Sequence, residues 1–296
     1  MIDLKGRVAI ITGAGAGLGR AHAHLLAQHG ARVIVNDLGP SAQSVAQEII
    51  EAGGDARAVL GSVTDAPGVQ QMVDDTVKLW GRVDILINNA GILRDKSFAK
   101  MGLEDFRLVV DVHLMGAAYC TKAVWDTMRE QRYGRIVMTT SSSGLYGNFG
   151  QSNYGAAKLA LVGLMQTLAL EGAKYDIRVN CIAPTASTQM LAGLLPTEQL
   201  ALLRPELVSP AVLALVSEGA PTRAILCAGA GSFEMAHITL TQGIHLDGDP
   251  PSAEALLTHF AELSDRRGDT VPVQGAEQGQ RELKKAGFES SQPTIT

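Results

Sequence analysis

The sequence holds only three cysteines, Cys120, Cys181 and Cys227, far apart and without a C-x-x-C pair. That scarcity excludes a disulfide framework and a dithiol redox motif, and points to reduced core thiols in a cytoplasmic protein. There is no basic block: 25 Lys and Arg stand against 30 Asp and Glu, for a net charge of −5, so nucleic acid is not expected as the main partner. No uninterrupted apolar run reaches the roughly 18–20 residues of a membrane span, so no membrane association is expected. The opening MIDLKGRVAIITG runs into a strand without a signal-peptide pattern. No internal repeat is present. His22, His24 and His29 lie at spacings of two and five, which share no helical face, and read as surface or helix-end residues. No other cluster has metal-ligand spacing, so no metal is expected.

What is there is a chain of 296 residues with 46% hydrophobic and 19% charged residues, enough for a full core. Arg7 to Thr12 (RVAIIT) is an apolar, β-branched run of the kind found in buried parallel strands. It leads into Gly13-Ala14-Gly15-Ala16-Gly17-Leu18-Gly19, a helix over Arg20–His29, and a second strand, Arg32–Asn36, that ends at Asp37. Glycines at such a turn let the backbone approach a pyrophosphate resting on the helix N-terminus. The acid after the second strand suits the ribose hydroxyls of NAD and repels the 2′-phosphate of NADP. No Lys or Arg follows Asp37 closely to receive that phosphate, and Arg20 reads as facing solvent.

Strand and helix keep alternating. Ala56–Gly61, Val83–Asn88, Arg135–Thr139, Ile177–Ala183 (ended by Pro184) and Ala224–Ala228 read as strands. One long helix or two shorter ones fill 103–131. The pattern predicts an α/β, Rossmann-like, doubly wound parallel sheet of seven strands: a single domain over residues 1–245 with a C-terminal extension over 246–296. In the extension, Ser252–Arg266 reads as a helix and the polar residues from Arg267 onward as a loose tail. Ligands collect at the carboxyl ends of such strands, where the glycine loop, Asp37, Ser62, Asn89 and Ser141 all fall.

The stretch from Met138 to Leu170 carries the chemistry. Tyr154 and Lys158 are four apart on a helix and so share a face. A lysine charge beside a phenol favours its ionised form. Ser141, at a strand end just upstream, offers a hydroxyl to a carbonyl or alcohol oxygen. Together these residues describe a proton-transfer site for an alcohol/ketone pair. Gly155, Ala156, Ala157, Ala160 and Gly163 leave this all-apolar helix small-faced, so one side is free to pack on a second subunit.

The combination T-G-A-G-A-G-L-G at 12–19, N-N-A-G at 88–91, Ser141 and Y-x-x-x-K at 154–158 resembles the short-chain dehydrogenase/reductase family. VNDLG, NNAGILRDKSF, YGRIVMTTSSSGLYGNFGQSNYGAAK and NCIAPTA resemble its (3R)-hydroxyacyl-CoA dehydrogenase branch, found in peroxisomal multifunctional enzymes of type 2 and in single-domain bacterial relatives. The resemblance implies catalysis by Ser141, Tyr154 and Lys158. Tyr154 would be the proton-transfer group; Lys158 would hold the nicotinamide ribose and lower the tyrosine pKa; Ser141 would hold the substrate oxygen. It also implies NAD held by Gly13, Gly17, Leu18, Gly19, Asp37, Ser62, Val63, Asn89, Ala90, Gly91, Tyr154, Lys158, Pro184, Ala186 and Thr188. Further implications are a greasy substrate lid over 187–203, an acyl-CoA or steroid-like substrate, and a homodimer or homotetramer. His113 stands where the family usually has Asn, Ser62 where it usually has Asp, and Thr185 where Gly usually follows the proline. Alternative readings are a 3-oxoacyl-ACP reductase, a hydroxysteroid or small-alcohol dehydrogenase, and a non-catalytic nucleotide-binding regulator.

Overall fold

A computed structural model describes residues 2–187, 196–248 and 250–288. Two compact units make up the chain, Met1–Ala236 and His237–Thr296, so the division comes earlier than the expected 245/246 boundary. The first unit runs β1 (Val8–Thr12), α1 (Gly17–Gln28), β2 (Arg32–Asp37), α2 (Ser41–Glu51), β3 (Asp55–Leu60), α3 (Ala66–Trp80) and β4 (Ile85–Asn88). It continues with α4 (Leu103–Val110), α5 (Gly116–Gln131), β5 (Gly134–Thr139), α6 (Ser142–Tyr146), α7 (Ser152–Gly172) and β6 (Ile177–Thr185). It ends with α8 (Thr197–Leu202), α9 (Ser209–Val216), β7 (Ile225–Gly229) and β8 (Ser232–Ala236).

The strands form one sheet in the order β3-β2-β1-β4-β5-β6-β7-β8. The first seven are parallel, and β8 pairs antiparallel with β7. The expected seven-stranded parallel sheet is there, with one strand added: β8 follows a two-residue turn through Ala230 and Gly231, both at positive φ, and its mostly exposed side chains gave no burial pattern to read. Successive residues of β1 serve opposite faces, Ala9 and Ile11 one core and Ile10 the other. Helices α1, α2 and α9 cover the first face; α3, α5 and α7 cover the second. With both faces covered, β1, β4 and β5 are buried throughout.

Several local readings change. Helix α1 begins at Gly17, inside the glycine loop, so the loop's last residues are the helix's own first turn. Strand β6 runs past Pro184 to Thr185; β5 pairs with β6 only as far as Ile182, so the missing proline N–H costs nothing on that side. The stretch 103–131 is continuous helix, but Asp111–Met115 is wound as a π-turn around His113. Arg20 faces solvent, as expected, and its guanidinium also donates twice to Glu48 of α2, at 3.1 and 2.7 Å. His22 is buried and 2.8 Å from Ser209 Oγ, because α9 folds over α1. By length and composition Ser152–Tyr175 and Glu198–Val216 are each apolar enough to cross a membrane, with mean hydropathy 1.2 and 1.4 over 18 residues. In α7 one face, with Leu161, Val162, Met165 and Ala169, is spent on the core, and Leu159 and Leu170 remain exposed.

Opposite the cleft, at the amino ends of the strands, Asp84 is fully buried. It accepts from Val8 N, Arg7 Nη1, Arg82 Nε and Arg82 Nη2 at 2.6–3.0 Å. Asp84→Ala strands these four donors, three of them on partly exposed arginines, and is expected to cost about 3 kcal/mol in denaturant-induced unfolding. A loss under about 1 kcal/mol would show that water replaces the carboxylate.

The second unit holds α10 (Ala253–Thr258), α11 (Phe260–Leu263) and α12 (Ala276–Lys285). Ser252 caps α10 by accepting from Ala255 N at 3.1 Å. The expected helix over 252–266 is broken at His259, which leaves helical geometry (φ −96°, ψ 10°). The expected loose tail contains α12, with Glu277 in its first turn and Lys284 and Lys285 in its last, as the helix dipole favours. A Leu240–Thr270 bridge closes this unit on itself.

Candidate active site

The strand order reverses between β1 and β4, and a cleft of about 520 Å³ opens there at the carboxyl ends of the strands. One end is built by the glycine turn. Gly13 and Gly17 adopt φ +62° and +52°, the left-handed region that glycine enters without strain. A Cβ on Gly15 would lie 2.3 Å from Ser41 Oγ, and one on Gly19 would lie 2.2 Å from Gly13 O. The turn is therefore pressed against α2 and against itself, and only bare backbone fits. Ala16 caps α1 without a side-chain acceptor, which leaves the first-turn amides open to an anion.

Asp37 borders the same end. One carboxylate oxygen accepts from Gly15 N at 2.8 Å; the other accepts from Leu38 N at 2.7 Å and Gly39 N at 3.3 Å. The charge thus pins the glycine turn to the end of β2 while facing the cleft. Ser62 and Val63 lie alongside, and Ser62 Oγ accepts from Thr64 N at 3.1 Å. Asn89 binds the turn from β4: its Nδ2 donates to Thr12 O at 3.0 Å and to Gly13 O at 3.1 Å. Thr12 Oγ1 accepts from Asn89 N and Ala90 N, both at 3.0 Å.

The other end holds Ser141, Tyr154 and Lys158. Ser141 leaves β5 in extended geometry and caps α6, accepting from Ser143 N at 3.2 Å. It borders the same cleft as the Tyr154 phenol and acts to lower that phenol's pKa. Lys158 is buried, with Nζ 5.4 Å from the centre of the Tyr154 ring, and donates to Thr139 O at 2.5 Å. Burial pushes its pKa down to about 7. The Tyr154 pKa is raised: burial outweighs the lowering by Ser141, and Asp95 adds to the rise. The expected lowering by lysine is therefore not a property of the chain alone. Lys158 holds Thr139 O, and its own charge is weakened by burial. The imidazole of His113 meets the phenol ring edge-on, 5.2 Å between centres.

Gly13, Gly17, Leu18, Asp37, Ser62, Val63, Asn89, Ala90, Gly91, Ser141, Tyr154, Lys158, Pro184 and Ala186 all border this one cleft. Gly19 does not; it supports the turn from beneath. Thr188 and most of the expected lid, with Met190, Leu191, Leu194 and Leu195, lie outside the described residues. Sequence reasoning missed Ile92, Leu93, Asn148 and Gln151, which line the cleft beyond Tyr154. Gln151 was within reach, since it precedes Tyr154 by three residues, one helical turn. Its carbonyl oxygen accepts from Ser143 Oγ at 2.7 Å and Asn148 Nδ2 at 3.0 Å, and its amide donates to Asp95 at 2.7 Å. Among the described residues no group of three or more His, Cys, Asp or Glu side chains is placed to hold a metal.

Two hydroxyls bordering one cleft, a buried amine beside them and an open anion cradle at the far end make a site suited to moving a proton on a small-molecule alcohol beside a dinucleotide. The comparisons agree with that chemistry. The short chain dehydrogenase family model matches residues 7–199. A short-chain type dehydrogenase/reductase of Mycobacterium tuberculosis is 43% identical over 92% of this chain and 98% of its own length. The peroxisomal multifunctional enzyme type 2 of Drosophila melanogaster is 50% identical over 72% of this chain but only 37% of its own length. The solved full-length structure of that enzyme superposes with a TM-score of 0.83 at 38% identity, covering 96% of this chain and 50% of that one. A 3-oxoacyl-[acyl-carrier-protein] reductase of Synechocystis is 44% identical over 62% of this chain and 75% of its own length. This chain belongs to the short-chain dehydrogenase family, as an oxidoreductase acting on CH–OH groups.

Proposed function

We propose that the enzyme uses NAD and oxidises (3R)-3-hydroxyacyl-CoA to 3-oxoacyl-CoA in the breakdown of a fatty acid or sterol side chain. The observation that carries the cofactor is Asp37, a carboxylate at the cleft edge already engaged by three amides. Its remaining lone pairs suit ribose hydroxyls, and its charge opposes a 2′-phosphate. The glycine cradle, the uncapped α1 terminus and the amine of Lys158 fit the rest of the dinucleotide. When bound, the nicotinamide supplies the hydride acceptor. Ser141 orients the substrate hydroxyl, Tyr154 removes its proton, and Lys158 supports the phenolate with positive charge. In the reverse direction the same phenol returns the proton.

The acyl-CoA substrate is supported by the branch phrases of the sequence, by the likeness to the peroxisomal multifunctional enzyme, and by apolar Ile92 and Leu93 in the cleft wall. A homodimer or homotetramer belongs to the same reading, supported by exposed Leu159 and Leu170 on the otherwise apolar α7. The likeness to a 3-oxoacyl-ACP reductase favours a second reading, reduction of a carrier-bound ketone; Asp37 speaks against the NADPH such a reaction usually takes. The test is NADH formation from (3R)- and (3S)-3-hydroxyacyl-CoA esters, medium-chain to sterol-derived, with NADP in parallel. Turnover of the (3R) esters with NAD is expected. Silence on every CoA ester, with turnover of a free alcohol or steroid, would discard the acyl-CoA assignment and keep the site chemistry.

A further inference from the structure

The residues that open α7 do more than lead to Tyr154. Four in succession each make one hydrogen bond to the stretch between β4 and α4. Gly150 O accepts from Lys96 N at 2.9 Å. Gln151 Nε2 donates to Asp95 Oδ2 at 2.7 Å. Ser152 Oγ donates to Met101 Sδ at 3.5 Å. Asn153 Nδ2 donates to Arg94 O at 3.1 Å. The bonds to Lys96 N and Arg94 O hold the backbone of that stretch itself, whatever its side chains do.

The stretch so held is a wall of the cleft. Ile92 and Leu93 border the same space as Ser141 and Tyr154. Residues 92–97 belong to no helix or strand, so no ladder of their own fixes where the wall stands; outside bonds must do it. Those bonds differ in weight. Lys96 Nζ reaches Asp105 of α4 at 2.9 Å, and Gln151 reaches Asp95, but both lie at the exposed surface, where water replaces a lost partner at little cost. Asn153 is fully buried, and a buried partner once lost is not replaced. Asn153 is therefore the bond that fixes the wall.

Its amide is used at both ends. Oδ1 accepts from Tyr154 N at 2.7 Å, and Nδ2 donates to Arg94 O. A backbone N–H on one side and a carbonyl on the other allow only this orientation, since a flip would set donor against donor and acceptor against acceptor. One planar group thus spans the backbone of the proton-transfer residue and the backbone of the wall, and it sets the distance between them.

We infer that Asn153 is a positioning residue that locks residues 92–97 to the backbone of Tyr154, so that Ile92 and Leu93 form a fixed wall that selects the substrate by shape. This role rests on the acyl-CoA reading proposed above. An apolar wall free to move yields to added bulk; a wall that is held excludes it, and one methyl group against a fixed apolar surface is worth roughly tenfold or more in kcat/KM. A straight-chain 3-hydroxyacyl-CoA and its 2-methyl-branched analogue differ by one methyl beside the reacting carbon, so this pair reads the wall.

Two measurements on the full-length enzyme with NAD test this. The first is kcat/KM for a straight-chain and a 2-methyl-branched (3R)-3-hydroxyacyl-CoA of equal chain length. Proton transfer through Tyr154 is common to both, so it cancels in their ratio. The wild type should prefer the straight ester, and Asn153→Ala should bring the ratio about tenfold closer to one. Asp95→Ala, which removes an exposed bond to the same stretch, should move the ratio the same way by less. Equal losses on both esters in Asn153→Ala, the mark of a merely structural role, overturn the inference, as does a wild type without preference. The second is amide hydrogen exchange. Asn153→Ala should speed exchange at Lys96 N by about tenfold while the amides of β4 and β5 stay protected; unchanged exchange at Lys96 overturns the lock whatever the substrate is. If Asn153→Ala does not fold, the ratio and the Lys96 exchange in Asp95→Ala decide. If every CoA ester is silent, the acyl-CoA reading fails by itself; the ratio is then taken on a straight and a branched free alcohol, and the exchange still decides the lock.

Discussion

A Tyr154→Phe enzyme is expected to lose about 10²–10⁴-fold in kcat while still binding NAD. Only the phenol oxygen is removed. The ring keeps its edge contact with His113 at 5.2 Å, and Lys158 keeps its bond to Thr139 O. The glycine cradle and Asp37, at the other end of the cleft, are untouched. What is lost is the group proposed to take the proton from the substrate hydroxyl, the group whose pKa Ser141 acts to lower. Turnover and a cofactor titration on the same preparation separate the two effects. Wild-type turnover in the variant would place proton transfer elsewhere; tight NAD binding with no turnover of any alcohol by the wild type would favour a nucleotide-binding regulator.

Asp37→Asn is expected to reduce the preference for NAD over NADP by about 100-fold, the equivalent of about 2.7 kcal/mol. The carboxamide has nearly the shape of the carboxylate, but its single oxygen accepts on one side only, so either Gly15 N or the Leu38 and Gly39 amides lose their acceptor. The charge disappears, and with it the repulsion of a 2′-phosphate and part of the strength of the ribose hydrogen bonds. The change is expected mainly as a loss with NAD rather than a large gain with NADP, because Arg20 is tied to Glu48 at 2.7 Å and does not offer a phosphate partner. The check is kcat/KM with each cofactor at saturating substrate. A wild type that already prefers NADP, or a ratio unchanged by the substitution, would remove Asp37 from the specificity argument.

Most of the fold and much of the site could be read before any coordinates. β-Branched runs alternating with helical stretches implied a parallel sheet, and the sheet is there. The glycine turn, Asp37 and the Tyr154–Lys158 spacing are local patterns, and local patterns survive in a one-dimensional reading. The misreadings share one cause. His22 looked like a surface histidine because its partner, Ser209, is 187 residues away. β8 was invisible because its side chains are mostly exposed and only its backbone pairs.

By itself, then, the sequence determined the family and the order of most elements, and it named the candidate side chains for the chemistry, since motif spacing and apolar period act over a few residues at a time. The tertiary structure decided how those side chains behave. Burial, which depends on the whole chain, raises the Tyr154 pKa above its usual value and lowers that of Lys158 to about 7. The same packing turns His113, one helix residue among many in the sequence, into a neutral imidazole set between the phenol ring and the Ile92 backbone. Charge in water is cheap and charge in a packed interior is not, and no stretch of sequence states how deep it will be buried.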